Sequence, residues 1–358
     1  MGFDASHLLT LEINSTGPRY ARDTSVFDFH DRVREVVGAL PGVTSVAVAN
    51  QLPLGGNVDM YSVLDPDNLP DNPELAPSGD RFAVSPSYLS TMRIPVVAGR
   101  AFTASDADQN GNKVALVSAA LAQRLWPNEN AIGKRIRVGG IDGPNRTVIG
   151  VTGNVRQSGL DAQTTMQWYI PERQMFFADN QETLIVRTAG DPAALAAAVR
   201  SAVASVDPTQ PIVRIATMEQ VIVASTSQRR LALALFGAFA AAALLLAIAG
   251  IYGVLAGSVS ERTREIGVRS ALGATPANLI ALILEQGGRL AVLGIVLGLA
   301  GSFALTRYLQ SLLFGIAPND PATLAGVCVL LSCVTLAACL VPAARAARVD
   351  PSEALRSE

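Results

Sequence analysis

The chain has 358 residues, a formal net charge of −2, 49% hydrophobic and 16% charged residues. The charged share is well below the ~25% of soluble proteins, and most of it lies before residue 230, which predicts a soluble domain followed by a membrane domain. Near-neutral charge gives no argument for a nucleic-acid partner. Cys328, Cys333 and Cys339 all fall in the last apolar run, which speaks against a disulfide framework and favours packing or lipid contact over metal ligation.

The first residues, MGFDASHLLTLEI, have no basic n-region and no sustained apolar core, so they do not read as a signal peptide. The chain has two histidines, His7 and His30. Residues 1–226 read as α+β. Residues 8–13 alternate as a strand. Ser25 is the expected N-cap of a helix through Leu40, with Val26, Phe29, Val33, Val36, Val37 and Leu40 on its buried side. Pro41-Gly42 ends it, and residues 43–48 return as a strand. The same order recurs near residue 183. A strand spans 183–187, and Asp191-Pro192 starts a helix as N-cap and first residue. Leu195, Val199, Val203 and Val206 line that helix, Asp207-Pro208 ends it, and residues 212–215 return. These are two β-α-β units; chance similarity and true duplication account for them equally well.

Between the units, about residues 55–175 form an inserted lobe. It opens on a turn-rich tract, 65–80, with Pro66, Pro70, Pro73 and Pro77, read as a surface loop. Strands are expected at 81–84, 113–117, 135–138 and 147–151, with a short helix ending near Trp126.

The sequence offers little chemistry. Gly133-Lys134 resembles the end of a phosphate loop. A Walker A motif needs a glycine where Asn128 stands and Ser or Thr where Arg135 stands. Asp106, Asp108, Asn110 and Asn112 are spaced like a Ca²⁺ loop, but Val117 occupies the position of the bidentate Glu. No nucleophile arrangement of Ser/His/Asp or Cys/His type is present. The expectation is no cofactor and no enzyme activity.

Three apolar runs follow. Residues 231–260 are uncharged over about 30 residues, enough to span a bilayer; 290–306 are uncharged over about 17, extending a helix that begins at Pro276; and 321–344 give about 24. Ala249, Gly253 and Gly257 form a small-residue face, and Gly294 and Gly298 make a GxxxG step. Glu285 and Arg289 form an i,i+4 pair.

Between the first two runs lies ERTREIGVRSALGAT, residues 261–275. Arg262, Glu265 or Ile266, and Arg269 share one side of a short helix. Gly273 sits where a helix stops, and Thr275-Pro276 starts the next. Its arginines either only set orientation or touch another protein. With Arg262, Arg264 and Arg269 here and Arg345, Arg348 and Arg356 in the tail, the positive-inside rule puts both in the cytoplasm and the Lys/Arg-free loop 308–320 outside. Arg229 and Arg230 count against this, two to six. Three spans then put residues 1–226 outside.

This segment resembles the loop between the first two spans of the FtsX-like permease domain in MacB-type ABC transporter permeases, which reads roughly (R)-T-R-E-I-G-(I/V)-R-x-A-L-G-A. The likeness continues upstream in LPL (52–54), VSPSYLSTMRIPVVAGRAF (84–102), ALAQRLWP (120–127), IGKRIRVGG (132–140), VIGVTGNVRQSGLD (148–161) and LIVRTAGDPAALAAAVRSAV (184–203). Downstream it includes PAARAARVDPSEALRSE (342–358). It covers nearly the whole chain and is most similar to the second half of the large duplicated permeases.

The resemblance implies an α+β extracytoplasmic domain (1–226, paired β-α-β units with an inserted lobe) and an all-α membrane domain (227–358) with three transmembrane helices in the bacterial cytoplasmic membrane. It implies a separate ABC ATPase docking at Glu261, Arg262, Arg264, Glu265, Arg269 and Gly273. Further expected partners are a second permease copy or half, a periplasmic adaptor and the lipid bilayer. ATP-driven motion of the outer domain would drive efflux or lipoprotein handling. The alternative is an FtsX-like signal transducer that activates cell-wall hydrolases. The family also places a transmembrane helix ahead of residue 1, so the chain is expected to be a fragment or to have lost that span.

Overall fold

The computed structural model describes residues 1–346 apart from 71, 73–75, 139–142, 158, 160–164, 176, 262–264, 266–267, 269–274 and 310–320. The chain divides into two compact units, Met1–Arg229 and Arg230–Glu358. In chain order the first unit runs β1 (Leu8–Asn14), α1 (Asp23–Gly38), β2 (Val43–Ala49), β3 (Met60–Leu64), β4 (Ser78–Val84), α2 (Tyr88–Met92) and β5 (Val96–Gly99). It continues through β6 (Val114–Ser118), α3 (Ala119–Leu125), β7 (Arg135–Val138), β8 (Asn145–Thr152), β9 (Gln167–Pro171), β10 (Gln181–Thr188), α4 (Ala196–Val206) and β11 (Ile212–Thr217). The next helix is α5 (Met218–Glu261).

The two β-α-β units interleave. Their strands lie in the order β11-β1-β10-β2. β10 is antiparallel to both β1 and β2, with Leu9 opposite Val186 and Val186 opposite Val46. The result is a split β-α-β arrangement of ferredoxin-like order. Side chains alternate across it, as a strand requires. Leu9, Leu11, Ile13, Val46, Val48, Leu184 and Val186 face α1 and α4, and bury Val26, Phe27, Phe29, Val33, Val37, Val199 and Val203 against themselves. Leu8, Ala47, Ala49 and Ile185 face the other way, onto α2 and the start of α5 at Met218 and Val221.

The inserted lobe closes on itself. β4 pairs β3, β3 pairs β7, β7 pairs β8, β8 pairs β6, β6 pairs β9, and β9 returns parallel to β4. Alternation again decides which side chain goes where. Ala83, Ala115, Val117, Ile136, Val138, Val148, Trp168 and Ile170 fill the ring interior. Phe82, Val84, Val114, Leu116 and Tyr169, on the opposite faces of the same strands, join the core shared with the paired units. Closure leaves few free strand edges.

Three expectations need correction. α1 starts at Asp23, not after Ser25, and its N-cap Arg22 makes no side-chain cap bond. The Asp23 carboxylate suits the positive end of the helix and accepts from Ala178 N at 3.0 Å. At the second helix, Asp191 Oδ1 accepts from Ala193 N at 2.9 Å. The first turn there is a 3₁₀ turn, Ala193–Leu195, and α4 begins only at Ala196. The tract 65–80 is not wholly surface loop, since β4 begins inside it at Ser78 and Asp80 is buried. Asp65, at its other end, is buried because its Oδ2 accepts from Trp126 Nε1 at 2.8 Å.

In the second unit, α6 (Pro276–Leu309) and α7 (Pro321–Ala346) follow α5 and pack on each other. Two stretches are long and apolar enough to cross a membrane: Leu233–Ser258, 26 residues of mean hydropathy 2.4, and Gly287–Ala304, 18 residues of mean hydropathy 1.6. The apolar part of α7, Leu324–Leu340, is shorter. Among the described residues α5, α6 and α7 are the long helices here, and two of them carry a stretch of spanning length. The expected pair at the base of the second is present, with Arg289 Nη2 2.6 Å from Glu285 Oε1.

Candidate functional site

Two places can carry function, one in each unit. The first is the charged segment after α5. Glu261 is the last residue of that helix and is exposed. Glu265 and Val268 are helical and exposed too. Arg262, Arg264, Arg269 and Gly273 lie outside the described residues.

The second is the joint between the paired units and the inserted lobe. One half of it is built on Arg81 of β4, only 2% exposed. Its Nε donates to Asp59 Oδ2 at 2.5 Å and its Nη2 to Asp179 Oδ1 at 2.6 Å. The guanidinium lies 5.0 Å from the Phe177 ring centre and 5.7 Å from that of Tyr61. Asn50, just past β2, ties in by donating to Asp59 Oδ2 at 3.0 Å and accepting from Ala83 N at 2.9 Å. Gln51 Nε2 donates to Arg81 O at 2.6 Å. Burial alone would lower the Arg81 pKa, but the two carboxylates outweigh it and raise it. This is a structural ion cluster open to a shallow groove lined by Asn57, Val58 and Gln181.

The other half is built on His30. It projects from α1 with the side chains of Glu172, in the turn after β9, and Glu182 of β10. The three are 2–4% exposed. His30 Nδ1 is 3.2 Å from Glu182 Oε2 and 3.8 Å from Glu172 Oε2. His30 Nε2 faces Ser15 Oγ at 3.3 Å. Burial pushes the imidazole down to about 3 and both glutamates up, Glu182 the further. Arg34 pairs with Asp31 on the same helix, and Arg173 Nε reaches Asp31 at 3.0 Å and its Nη2 reaches Asp28 at 2.8 Å.

Sequence reasoning found His30 only as one of two histidines and missed both glutamates. The three come from widely separated positions with no motif spacing, so only tertiary structure brings them together. The Gly133-Lys134 pair leads into β7, not into a helix as a phosphate loop does, and Lys134 Nζ bonds Glu129 Oε2 at 2.8 Å. Asp106 is held by Arg100 Nη1 at 2.6 Å and by Thr103 N at 2.8 Å.

Comparison with known proteins gives two family matches. Residues 3–205 match the MacB-like periplasmic core domain, and residues 237–351 match the FtsX-like permease C-terminal domain. The chain is 24% identical over 280 residues to an uncharacterized ABC transporter permease, YknZ, of Bacillus subtilis, covering 77% of this chain and 69% of that protein. It is 25% identical over 351 residues to the macrolide export ATP-binding/permease protein MacB of Marinobacter nauticus, covering 96% of this chain and 50% of that one. It is 29% identical over 281 residues to a probable syringafactin export ATP-binding/permease protein of Pseudomonas syringae, covering 76% and 41%. The chain thus spans half or less of the ATP-binding/permease proteins named here. Among solved structures, the periplasmic region of MacB from Actinobacillus actinomycetemcomitans matches with a TM-score of 0.43 at 13% identity, over 63% of this chain and 95% of that one.

Proposed function

The chain belongs to the MacB/FtsX family of ABC transporter permeases, and from that we propose that it couples ATP hydrolysis by a separate ATPase to motion of its α+β domain outside the membrane. The observation that carries the reading is the family match on both sides of the division between the units, a core domain at 3–205 and a permease domain at 237–351. In this reading residues 1–226 are the extracytoplasmic domain, with the lobe at about 55–175, and 227–358 the membrane domain. The ATPase docks at Glu261, Arg262, Arg264, Glu265, Arg269 and Gly273 on the cytoplasmic side. Closure of the ATPase moves the spans, the spans move the outer domain, and the outer domain does the work of efflux or lipoprotein handling.

Two features support it. No described residue of the stretch Leu233–Ser258 is fully buried within the chain, and a helix apolar all round needs lipid or other helices around it. The segment that continues α5 from the exposed Glu261 carries the charged residues that the family resemblance assigns to the ATPase contact. α7 is the third span in this reading, with its short apolar part extended by flanking small residues. A periplasmic adaptor and a second permease copy complete the assembly.

Topology is tested by impermeant thiol labelling of intact spheroplasts. Ser158→Cys, Asn319→Cys and Ser357→Cys are made singly in a background without the three native cysteines. The first two should label and the third should not; labelling of the third alone overturns the orientation. Function is tested by reconstituting the chain with the cognate ATPase and following a spin-label pair between the outer domain and the bilayer surface. No ATP-dependent change in that distance would remove the coupling reading.

A further inference from the structure

We propose that His30, Glu172 and Glu182 form a binding site for a single divalent transition cation, Zn²⁺ in the first instance, at the joint between the paired units and the inserted lobe. One imidazole nitrogen and two carboxylates offer ligand atoms that all lie within 4.8 Å of one another. A tetrahedral zinc with bonds of about 2.1 Å has ligand–ligand edges of about 3.4 Å. The observed separations of 3.2 and 3.8 Å from His30 Nδ1 bracket that edge. Small side-chain movements therefore suffice.

A second observation points to a ligand. His30 Nδ1, Glu172 Oε2 and both oxygens of Glu182 are buried and make no hydrogen bond. Buried polar atoms are almost always partnered, and each exception calls for an explanation such as an ion. Two ionised carboxylates side by side are expensive to bury, and burial accordingly raises the pKa of both. The nearest arginines act on Glu172 only through space, and each is already bonded to aspartates, Arg34 to Asp31 and Arg173 to Asp31 and Asp28. A dication would neutralise the two carboxylates.

The surroundings suit this. His30 Nε2 lies 3.3 Å from Ser15 Oγ; in the tautomer that binds metal, Nε2–H donates to that hydroxyl and the Nδ1 lone pair is directed at the glutamates. A metal-bound histidine commonly has its other nitrogen held in this way. Imidazole with carboxylate favours zinc, iron or manganese over soft thiophilic ions. The three ligands come from α1, the turn after β9, and β10, so the cation would fasten the end of the inserted lobe to the paired units. This inference stands apart from the transport reading, and neither depends on the other.

The test uses the full chain in detergent, without an affinity tag. The three cysteines are replaced so that thiols cannot bind metal. His7→Asn is added, because asparagine tolerates the positive φ of 55° at that position. His30 is then the one histidine left of the two in the sequence. After dialysis against chelator, Zn²⁺ is titrated and the loaded protein is examined by X-ray absorption at the zinc edge. The expected result is one ion per chain, a nitrogen/oxygen shell with an imidazole signature, and a higher unfolding temperature with zinc, since an ion that binds only the folded state stabilises it. Glu172→Gln and Glu182→Gln should each weaken zinc binding at least tenfold while circular dichroism stays unchanged. If either variant fails to fold, the wild-type stoichiometry, imidazole signature and thermal shift decide alone. Absence of saturable binding, a shell without imidazole, or undiminished binding in folded glutamine variants would each show that protons alone hold this cluster together.

Discussion

Replacing Arg81 with methionine tests how the inserted lobe is fastened. The substitution keeps most of the buried stem and removes the guanidinium. Two charge-assisted hydrogen bonds go, to Asp59 and Asp179, each worth about 1.5–3 kcal/mol. Contacts with the Phe177 and Tyr61 rings go too, at about 0.5–2 kcal/mol. Against this, a buried charge no longer has to be stripped of water. Breaking one side of a buried pair costs about 3–5 kcal/mol net. The side chains of Asp59 and Asp179 are 29% and 18% exposed and can be partly rehydrated, so the low end applies, about 3 kcal/mol. For a domain of this size that lowers the unfolding temperature by roughly 6–12 °C. Both tryptophans, Trp126 and Trp168, lie in the lobe core, so their fluorescence reports lobe unfolding directly. Adding Asp179→Asn to Arg81→Met removes the stranded carboxylate and should recover part of the loss. A fall under about 2 °C in the single variant, or no recovery in the double, would refute a cluster whose strength lies in its charges.

In the membrane domain, Arg264→Glu and Arg269→Glu should leave insertion and thermal stability nearly unchanged. Each should weaken co-purification with the ATPase by about tenfold or more, since a lost arginine anchor can cost ≥ ~2 kcal/mol of binding; wild-type association by correctly inserted variants would leave the segment as an orientation signal only. Asp4, Asp106 and Asp207 are each held down to about 2, chiefly by Ser6, Arg100 and Thr209 respectively. Their folded pKa values lie below the unfolded ones, so the stability they add is present above about pH 4 and is lost as pH falls towards 2. Asp106→Asn should flatten that part of a melting-temperature profile, and an unchanged profile would argue against it. Gly99→Ala should destabilise by about 1–3 kcal/mol. Its φ is +73° and a Cβ would come 2.3 Å from Ile149 O, which thermal unfolding beside Gly190→Ala, where the space is open, can check.

The paired units were legible because their strands and helices carry clean periodicities bounded by Pro-Gly and Asp-Pro. In the lobe, β6, β7 and β8 were legible for the same reason. β3, β5 and β9 were not. β9, QWYIP, is buried on both faces, so it shows no alternation and ends on a proline. β5, VVAG, is mostly exposed and owes its form to pairing with β8. Asp65, read as loop, is buried because an indole sixty-one residues away needs an acceptor. Such partners are invisible to local pattern. The charged segment after α5 was the plainest signal in the sequence, since charge beside long apolar runs stands out. The His30 cluster was the least visible, since its members share no spacing.

The way the lobe is joined bears on what the domain can do. β2 and β4 meet at one register pair, Ala49 opposite Val84. A ladder that short cannot hold two bodies rigidly. What supplements it is side chains: the shared core of Phe82, Tyr88, Tyr169, Ala47 and Ile185, the Asn50, Gln51 and Arg81 cluster on one side, and His30 with its glutamates on the other. Under the coupling proposed above, the domain would fail at its softest internal joint. The two polar clusters stiffen the place where backbone pairing is thinnest. Weakening them should therefore loosen the lobe before the paired units melt. Hydrogen exchange on the Arg81→Met chain is the direct measure: β4 and β9 should exchange faster while β1 and β10 keep their protection. Equal acceleration across all four strands would mean that the lobe and the paired units unfold as one, and that the joint is no weaker than the rest.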